Sequence, residues 1–413
     1  MTLNGSSRLD RDVAILFATR SLRMFGYGFL SVVLVLYLTA LGYSGLEVGV
    51  LLALTLLGDA AISLFLTTRA DRIGRRRVLV VGAALMLVAG IVFAATPIYV
   101  VLVAAATVGV ISPSGNEVGP FLAVEQASLS QLVEPQRLTG VIARYQLAGS
   151  LAVAAGALAA GATAQVAIDR GAAAPDAYRL VIYGYAVIGI GLVILFSPLT
   201  GRIEAPVRPD RSDAQPSWLG LHGSEAVVYP LATLFALDAF AGGFVITSFV
   251  ALWFSDRFAL DPATLGGLVF TANLLAGFSA LVAAPLARRF GLVRTMVFTH
   301  LPSNILLVLV PFMPTLPLAA GVLLVRFSIS QMDVPTRQAY TMAIVEPDER
   351  SAAAGATGIA RSLGVAASPL IAGPLYLSAT LAGAPFVIAG SLKVVYDLLL
   401  YRRFRDVRPS MER

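Results

Sequence analysis

Long apolar runs alternate with short polar connections along this chain. Twelve such runs can be drawn, at 13–41, 45–68, 76–96, 98–124, 139–165, 178–199, 226–254, 262–287, 293–312, 315–341, 352–376 and 380–401. Each is near or above the roughly 20 residues that a helix needs to cross the hydrocarbon core of a bilayer. Backbone groups in lipid must be satisfied within the protein, which leaves helices or a closed barrel. Barrel strands would read as segments of about ten residues with alternating polarity, and these runs do not alternate. The pattern predicts an all-α polytopic membrane protein with twelve transmembrane helices. Several connections are only a few residues long, so consecutive helices should be antiparallel neighbours.

Composition agrees. Hydrophobic residues make up 57% of the 413 positions, mean hydropathy is +0.82 and charged residues are 13%. A soluble domain carries about 25% charged residues, and no water-soluble core of this size could absorb so many apolar runs. There is no cysteine, which removes disulfides and thiolate chemistry, and His222 and His300 are the only histidines. No metal site or cofactor is therefore expected, and no string of the GxxxxGK[ST] kind suggests nucleotide hydrolysis. The N-terminus runs straight into the first apolar segment without a short cleavable h-region, so that segment reads as a retained span.

Charge sorts by connection. The link between runs two and three is RADRIGRRR (69–77), and the link between runs eight and nine holds Arg288, Arg289 and Arg294. The middle segment holds Arg202, Arg208 and Arg211, and the tail holds Arg402, Arg403, Arg405 and Arg408. With twelve spans all of these fall on one side, which the positive-inside rule assigns to the cytoplasm together with both termini. The net charge of +6 thus reads as topology rather than nucleic-acid binding. The expected setting is a bacterial cytoplasmic membrane. Residues 201–225, rich in Pro, Asp, Arg and Ser, read as a cytoplasmic linker between an N-terminal six-helix bundle (1–200) and a C-terminal bundle with a short tail (226–413).

The halves repeat each other. LFATR (16–20) lies on LFALD (234–238) at an offset of 218, and RADRIGRRR (69–77) on LARRFGLVR (286–294) at 217. Gly74 then coincides with Gly291, Arg72 with Arg289 and Arg77 with Arg294. VEPQR (133–137) is echoed by VEPDER (345–350). Six-span parallel repeats about an axis along the membrane normal are a transporter design.

On these features, and on Asp71-Arg72-Ile73-Gly74-Arg75-Arg76 in the second connection, the chain resembles the major facilitator superfamily, whose signature in that loop is DRxGRR. In the second half Arg288 stands where the aspartate would be. The resemblance implies two pseudo-twofold-related six-helix bundles, a non-enzymatic secondary transporter working by alternating access, and a cytoplasmic gate formed by Asp71, Arg72, Gly74 and Arg75. MDVPTRQAY (332–340) and GVAASPLIAGP (364–374) are similar to the later helices of bacterial efflux members.

Charged groups inside the spans carry the candidate chemistry, because each costs at least about 2.5 kcal/mol on insertion scales. Arg20 and Arg23 lie in span one, Asp59 in span two, Glu117 in span four, Asp238 in span seven, and Arg326, Asp333 and Arg337 in span ten. Arginine offers a permanently charged fork for carboxylate or phosphate, and a desolvated carboxylate can exchange protons between conformations. These eight residues are therefore the expected substrate-binding or coupling set, with structural salt bridges as the competing role. Arg20 and Asp238 occupy equivalent repeat positions with opposite charge, which suggests pairing in one state. The functional expectation is proton-coupled export, by antiport, of a small organic or anionic compound. The alternatives are an importer or exchanger of a small organic or inorganic anion, and a non-transporting receptor or scaffold. Expected partners are the small-molecule substrate, protons and membrane lipids, without nucleic acid, with the protein acting as a monomer.

Overall fold

The computed structural model describes residues 4–205, 223–346 and 349–405; most of the expected linker lies outside them. The described first half contains α1 (Asn4–Ala40), α2 (Gly45–Ile73), α3 (Arg75–Ala95), α4 (Tyr99–Val108), α5 (Phe121–Leu132), α6 (Pro135–Asp169) and α7 (Ala174–Phe196). The second contains α8 (Glu225–Gly243), α9 (Thr247–Phe258), α10 (Pro262–Phe290), α11 (Leu292–Leu309), α12 (Leu316–Ser330), α13 (Asp333–Ala343), α14 (Arg350–Ala367), α15 (Pro369–Tyr376) and α16 (Ala384–Phe404). Proline opens α6 and α7 within the first turn, where its missing N–H costs nothing. Asp261 caps α10 by accepting from the amide and hydroxyl of Thr264 at 2.9 and 2.6 Å. Chiefly through that hydroxyl, its carboxyl is held below the usual range.

Among the described residues, ten helical spans are long and apolar enough to cross a membrane. The other two expected crossings are interrupted helices. Run four breaks into α4 and α5 around SPSGNEVGP, where Gly115 and Gly119 take positive φ. Run eleven breaks into α14 and α15 at Ser368, ahead of Pro369. Spans seven and ten are also jointed, as α8–α9 and α12–α13. The helical class expected from the hydrophobic pattern holds. What the pattern smoothed over is that proline and glycine open the backbone of several crossings at mid-run, which is tolerated only where protein or water can serve the freed groups.

The described residues form two compact units. One combines the first half, without 44–53, with residues 250–270; the other combines the rest of the second half with 44–53. In the first unit α1 packs on α6 and α7, and α3 on α7. In the second, α8 packs on α14 and α16, and α11 on α16. These are the same pairings under the repeat that the sequence predicted. Gly74 and Gly291 sit at matching places, each the residue before a helix (α3 and α11), with φ of 104° and 85°. Only glycine adopts that conformation without strain, which explains why it recurs at the same point in both copies.

The α1–α6 crossing needs small residues. A Cβ on Gly156 would lie 2.0 Å from the Phe25 carbonyl oxygen, and one on Gly28 would lie 2.1 Å from that of Val153. Backbone cannot yield as a side-chain tip can, so overpacking here should cost about 1–3 kcal/mol. Gly321, with nothing within 4 Å of its would-be Cβ, provides the contrast. Gly156→Ala is expected to lower the thermal unfolding midpoint of the detergent-purified protein, and Gly321→Ala to leave it unchanged or raise it.

Candidate functional site

Each unit holds a cluster of charged side chains in its apolar interior. In the first, Arg20 and Arg23 lie three residues apart on α1 and so share a face. Arg23, fully buried, donates from both terminal nitrogens to the two oxygens of Glu125 on α5, at 2.7 Å each, and from Nε to Glu117 at 3.0 Å. Arg20 pairs with the other oxygen of Glu117 and donates to the Gln146 side chain at 2.7 Å and the Tyr145 carbonyl at 3.3 Å. Tyr145 Oη donates to Glu125, as does Thr19 Oγ1 at 3.3 Å. Glu117 can reach both arginines because it sits in the irregular segment between α4 and α5. Two guanidinium groups thus face two carboxylates, with bidentate geometry of the kind that makes arginine pairs strong.

Asp59 of α2 is different. It accepts from the Gly119 amide at 2.6 Å and from Ser63 Oγ at 3.4 Å. Among the described residues it has no ion pair, so its charge has no cation to offset it.

In the second unit the centre is Asp238 on α8. One of its oxygens accepts from Lys393 Nζ of α16 at 2.5 Å. The other accepts from Arg337 of α13 and Arg361 of α14, each at 3.1 Å. Arg337 is shared with Asp333 at 3.0 Å, one turn away. His300 of α11 stands between two acids: Nε2 is 4.0 Å from Asp238, and Nδ1 is 2.9 Å from Asp397. Asn304 donates to the second oxygen of Asp397 at 2.9 Å. Three cations therefore meet Asp238, one of them shared with Asp333, while Asp397 is held by His300 and Asn304. The Arg361 side chain is 34% exposed, whereas those of Asp238, Asp333, Arg337 and Lys393 are 10% or less. Arg361 is the most exposed cation of this cluster.

The expected residues divide accordingly. Arg20, Arg23 and Glu117 meet in one cluster; Asp238, Asp333 and Arg337 meet in the other. Arg20 and Asp238 each take their partners within their own unit. Asp59 stands apart on the Gly119 amide. Arg326 of α12 makes no close ion pair in either cluster: its Nε is buried without a hydrogen-bond partner, its guanidinium lies 4.8 Å from the ring of neighbouring Phe327, and only the field of Asp333 reaches it. Sequence reasoning gave Lys393 and Asp397 no role, took Arg361 in span eleven for a structural or snorkelling group, and left Glu125 and His300 outside the candidate set. A signal was present for the first two, because Lys393 is the only lysine in the chain and stands four residues before an aspartate inside a span.

At the DRxGRR loop, Arg75 Nε donates to Asp71 at 2.8 Å, and Arg75 Nη1 donates to Gln131 and to the Ile203 carbonyl. The Glu204 carboxylate accepts from the first amides of α3, Arg75 at 2.5 Å and Arg76 at 3.2 Å, where the helix dipole favours an anion. Arg72 is exposed.

A repeated helical membrane bundle with an ion cluster buried in each unit is the architecture of a secondary transporter. The chain belongs to the Major Facilitator Superfamily, whose family model matches residues 16–369 and, separately, 231–413. It is 30% identical to an uncharacterized membrane protein of Saccharomyces cerevisiae, over 98% of this chain and 96% of that protein. Its fold matches an inward-facing, occupied bacterial homolog of the human lysosomal transporter Spinster (TM-score 0.74, 14% identity, 96% of this chain and 98% of that one). It also matches the nucleoside transporter NupG (0.73, 13%, 95% and 100%) and a bacterial homologue of the iron transporter ferroportin (0.67, 14%, 95% and 98%).

The buried Arg23–Glu125 pair gives a sharp test of what holds the first cluster. Removing one partner leaves a charge stranded in the interior, a loss of about 3–5 kcal/mol, whereas replacing both by apolar groups is often neutral. Arg23→Met and Glu125→Leu alone should each lower the unfolding midpoint strongly, and the double variant should recover most of the loss. A double variant as unstable as the two losses added would show that the pair does not act as a unit.

Proposed function

We propose that this protein is a proton-coupled secondary transporter of a small organic anion, with the Asp238 cluster receiving both the anion and the proton. The observation that carries the reading is the sharing of one carboxylate by Lys393, Arg337 and Arg361, with Arg361 a third exposed. An incoming carboxylate or phosphate can take Arg361, and then Lys393, away from Asp238. Asp238 is left in apolar surroundings with fewer cations, and a proton removes the cost of that charge. Anion and proton then bind together.

Export by antiport, the expectation drawn from 332–340 and 364–374, needs solute and proton to exclude each other. A carboxylate surrounded by cations favours the opposite for an anionic solute, so co-transport down an inward proton gradient is the reading the geometry supports best. Arg326 adds a buried cation whose Nε has no hydrogen-bond partner and which makes no close ion pair among the described residues, again in favour of an anion. Asp59, with no cation beside it, is a second protonatable group in the first unit. Alternating access follows from bundles 1–200 and 226–413 rocking across the 201–225 linker. Asp71, Arg72, Gly74 and Arg75 gate the cytoplasmic side of a multi-pass protein whose termini are both cytoplasmic.

Purified protein in proteoliposomes, supplied with labelled mono- and dicarboxylates and sugar phosphates, tests this. An acid-outside pulse should drive accumulation of one anion class, and collapsing the gradient should abolish it. Arg361→Gln should weaken binding roughly 10- to 100-fold, the scale of one lost charge-assisted hydrogen bond. Asp238→Asn should keep counterflow exchange and lose gradient-driven accumulation. Outward movement against an acid exterior, or stabilisation only by lipophilic cations, would overturn the assignment.

A further inference from the structure

At the arginine-rich end of α10 and α11 the second unit carries a groove of about 400 Å³, lined by Leu286, Phe290, Arg294, Thr295, Phe298 and Thr299. Most of its wall is carbon, and Phe290 and Phe298 are 49% and 57% exposed. The groove is large enough for an aliphatic chain, being at the lower end of ligand-pocket volumes. Two features separate it from an ordinary lipid-facing surface. Thr295 Oγ1 is buried and has no hydrogen-bond partner, although Thr295 lines the groove. The neighbouring Thr299 hydroxyl is turned back onto the Thr295 carbonyl at 2.8 Å, so it does not satisfy that group.

The second feature is charge. Between Asp261 and Asp333 the sequence contains no acidic residue, yet it holds Arg288, Arg289, Arg294 and Arg326. Arg288, Arg289 and Arg294 are exposed and make no ion pair among the described residues. The Arg289 guanidinium lies 5.3 Å from the ring of Phe290. On the far side, Phe298 meets the Tyr401 ring edge-on at 5.5 Å, and the Arg405 guanidinium lies 5.8 Å from the same Tyr401 ring. An apolar slot beside Arg288, Arg289 and Arg294, none of which makes an ion pair among the described residues, is complementary to an amphiphile with an anionic head. A neutral acyl chain would leave the rim unpaired, and a soluble anion would leave the aromatic wall bare.

We propose that this groove is a binding site for one anionic phospholipid of the surrounding membrane. One acyl chain lies between Leu286, Phe290 and Phe298, and the phosphate is held by Arg294 and Arg289. Because α11 also carries His300 and Asn304, the lipid is held by the same helix that positions Asp397.

Native mass spectrometry of the full chain in detergent, titrated in parallel with dioleoyl phosphatidylglycerol and dioleoyl phosphatidylcholine, tests the site. One phosphatidylglycerol should be retained at concentrations at least tenfold below those needed for phosphatidylcholine. Arg294→Gln and Arg289→Gln should each weaken retention about 5- to 10-fold without altering the unfolding midpoint of lipid-free protein. Thr299→Phe, which fills the slot, should abolish it. Should that variant fail to fold, Phe298→Trp provides a second measurement, since chain-brominated phosphatidylglycerol should quench the added tryptophan more than brominated phosphatidylcholine does. Equal retention of the two lipids, or retention unaffected by both arginine changes, overturns the proposal. So does displacement of the lipid by glycerol 3-phosphate alone, which would make this a soluble-anion site.

Discussion

A charge buried in an apolar bundle must be neutralised by something within reach, and the interior of this protein is organised around that requirement. Arg23 has no exposure and survives because Glu125 and Glu117 surround it. Asp238 survives because three cations from three different helices converge on it. An isolated ion in a low-dielectric interior costs several kcal/mol even after relaxation, so these groups bind helices together as effectively as packing does. They also fix which helices those are. In the first unit α1 is tied to α5, α6 and the broken stretch before α5; in the second α8 is tied to α13, α14 and α16.

The two clusters meet the same demand in different ways. The first is densely paired, with one bidentate arginine–glutamate pair, tyrosine and threonine hydroxyls on the same carboxylate, and a second glutamate bridging both arginines. The second is shared and partly open: one carboxylate divided among three donors, one donor a third exposed, and a histidine between two acids. A saturated cluster resists change, because any rearrangement strands a charge. A divided one can exchange partners more readily, since Arg337 also holds Asp333 and Arg361 is a third exposed. The second cluster is thus the one whose contacts can be redistributed, and the first is the more completely paired.

The broken helices serve the same end. Glu117 could not contact two arginines from a continuous helix, because its side chain would be committed to one face. The interruption between α4 and α5 frees its direction and also presents the Gly119 amide to Asp59. Membrane proteins tolerate irregular backbone only where it is served by protein groups or a cavity, and here the carboxylates and the break serve each other.

The chain by itself determined the class, the number of crossings, the repeat and the presence of charges that had to be explained. Those follow from local and periodic facts: run length against membrane thickness, arginine distribution among connections, and two glycines that recur with their loops. The contents of each cluster were decided only by tertiary structure. Arg20 and Asp238 match by repeat position, yet each takes its partners within its own unit, because a buried charge pairs with whatever the local packing places within about 3 Å. Lys393, Asp397 and Arg361 were visible as letters, but their convergence on α8 and α11 depends on helix rotation and tilt, which packing against neighbours sets. The hydrophobic pattern records that a helix crosses the membrane; it does not record which way each charged side chain turns once inside.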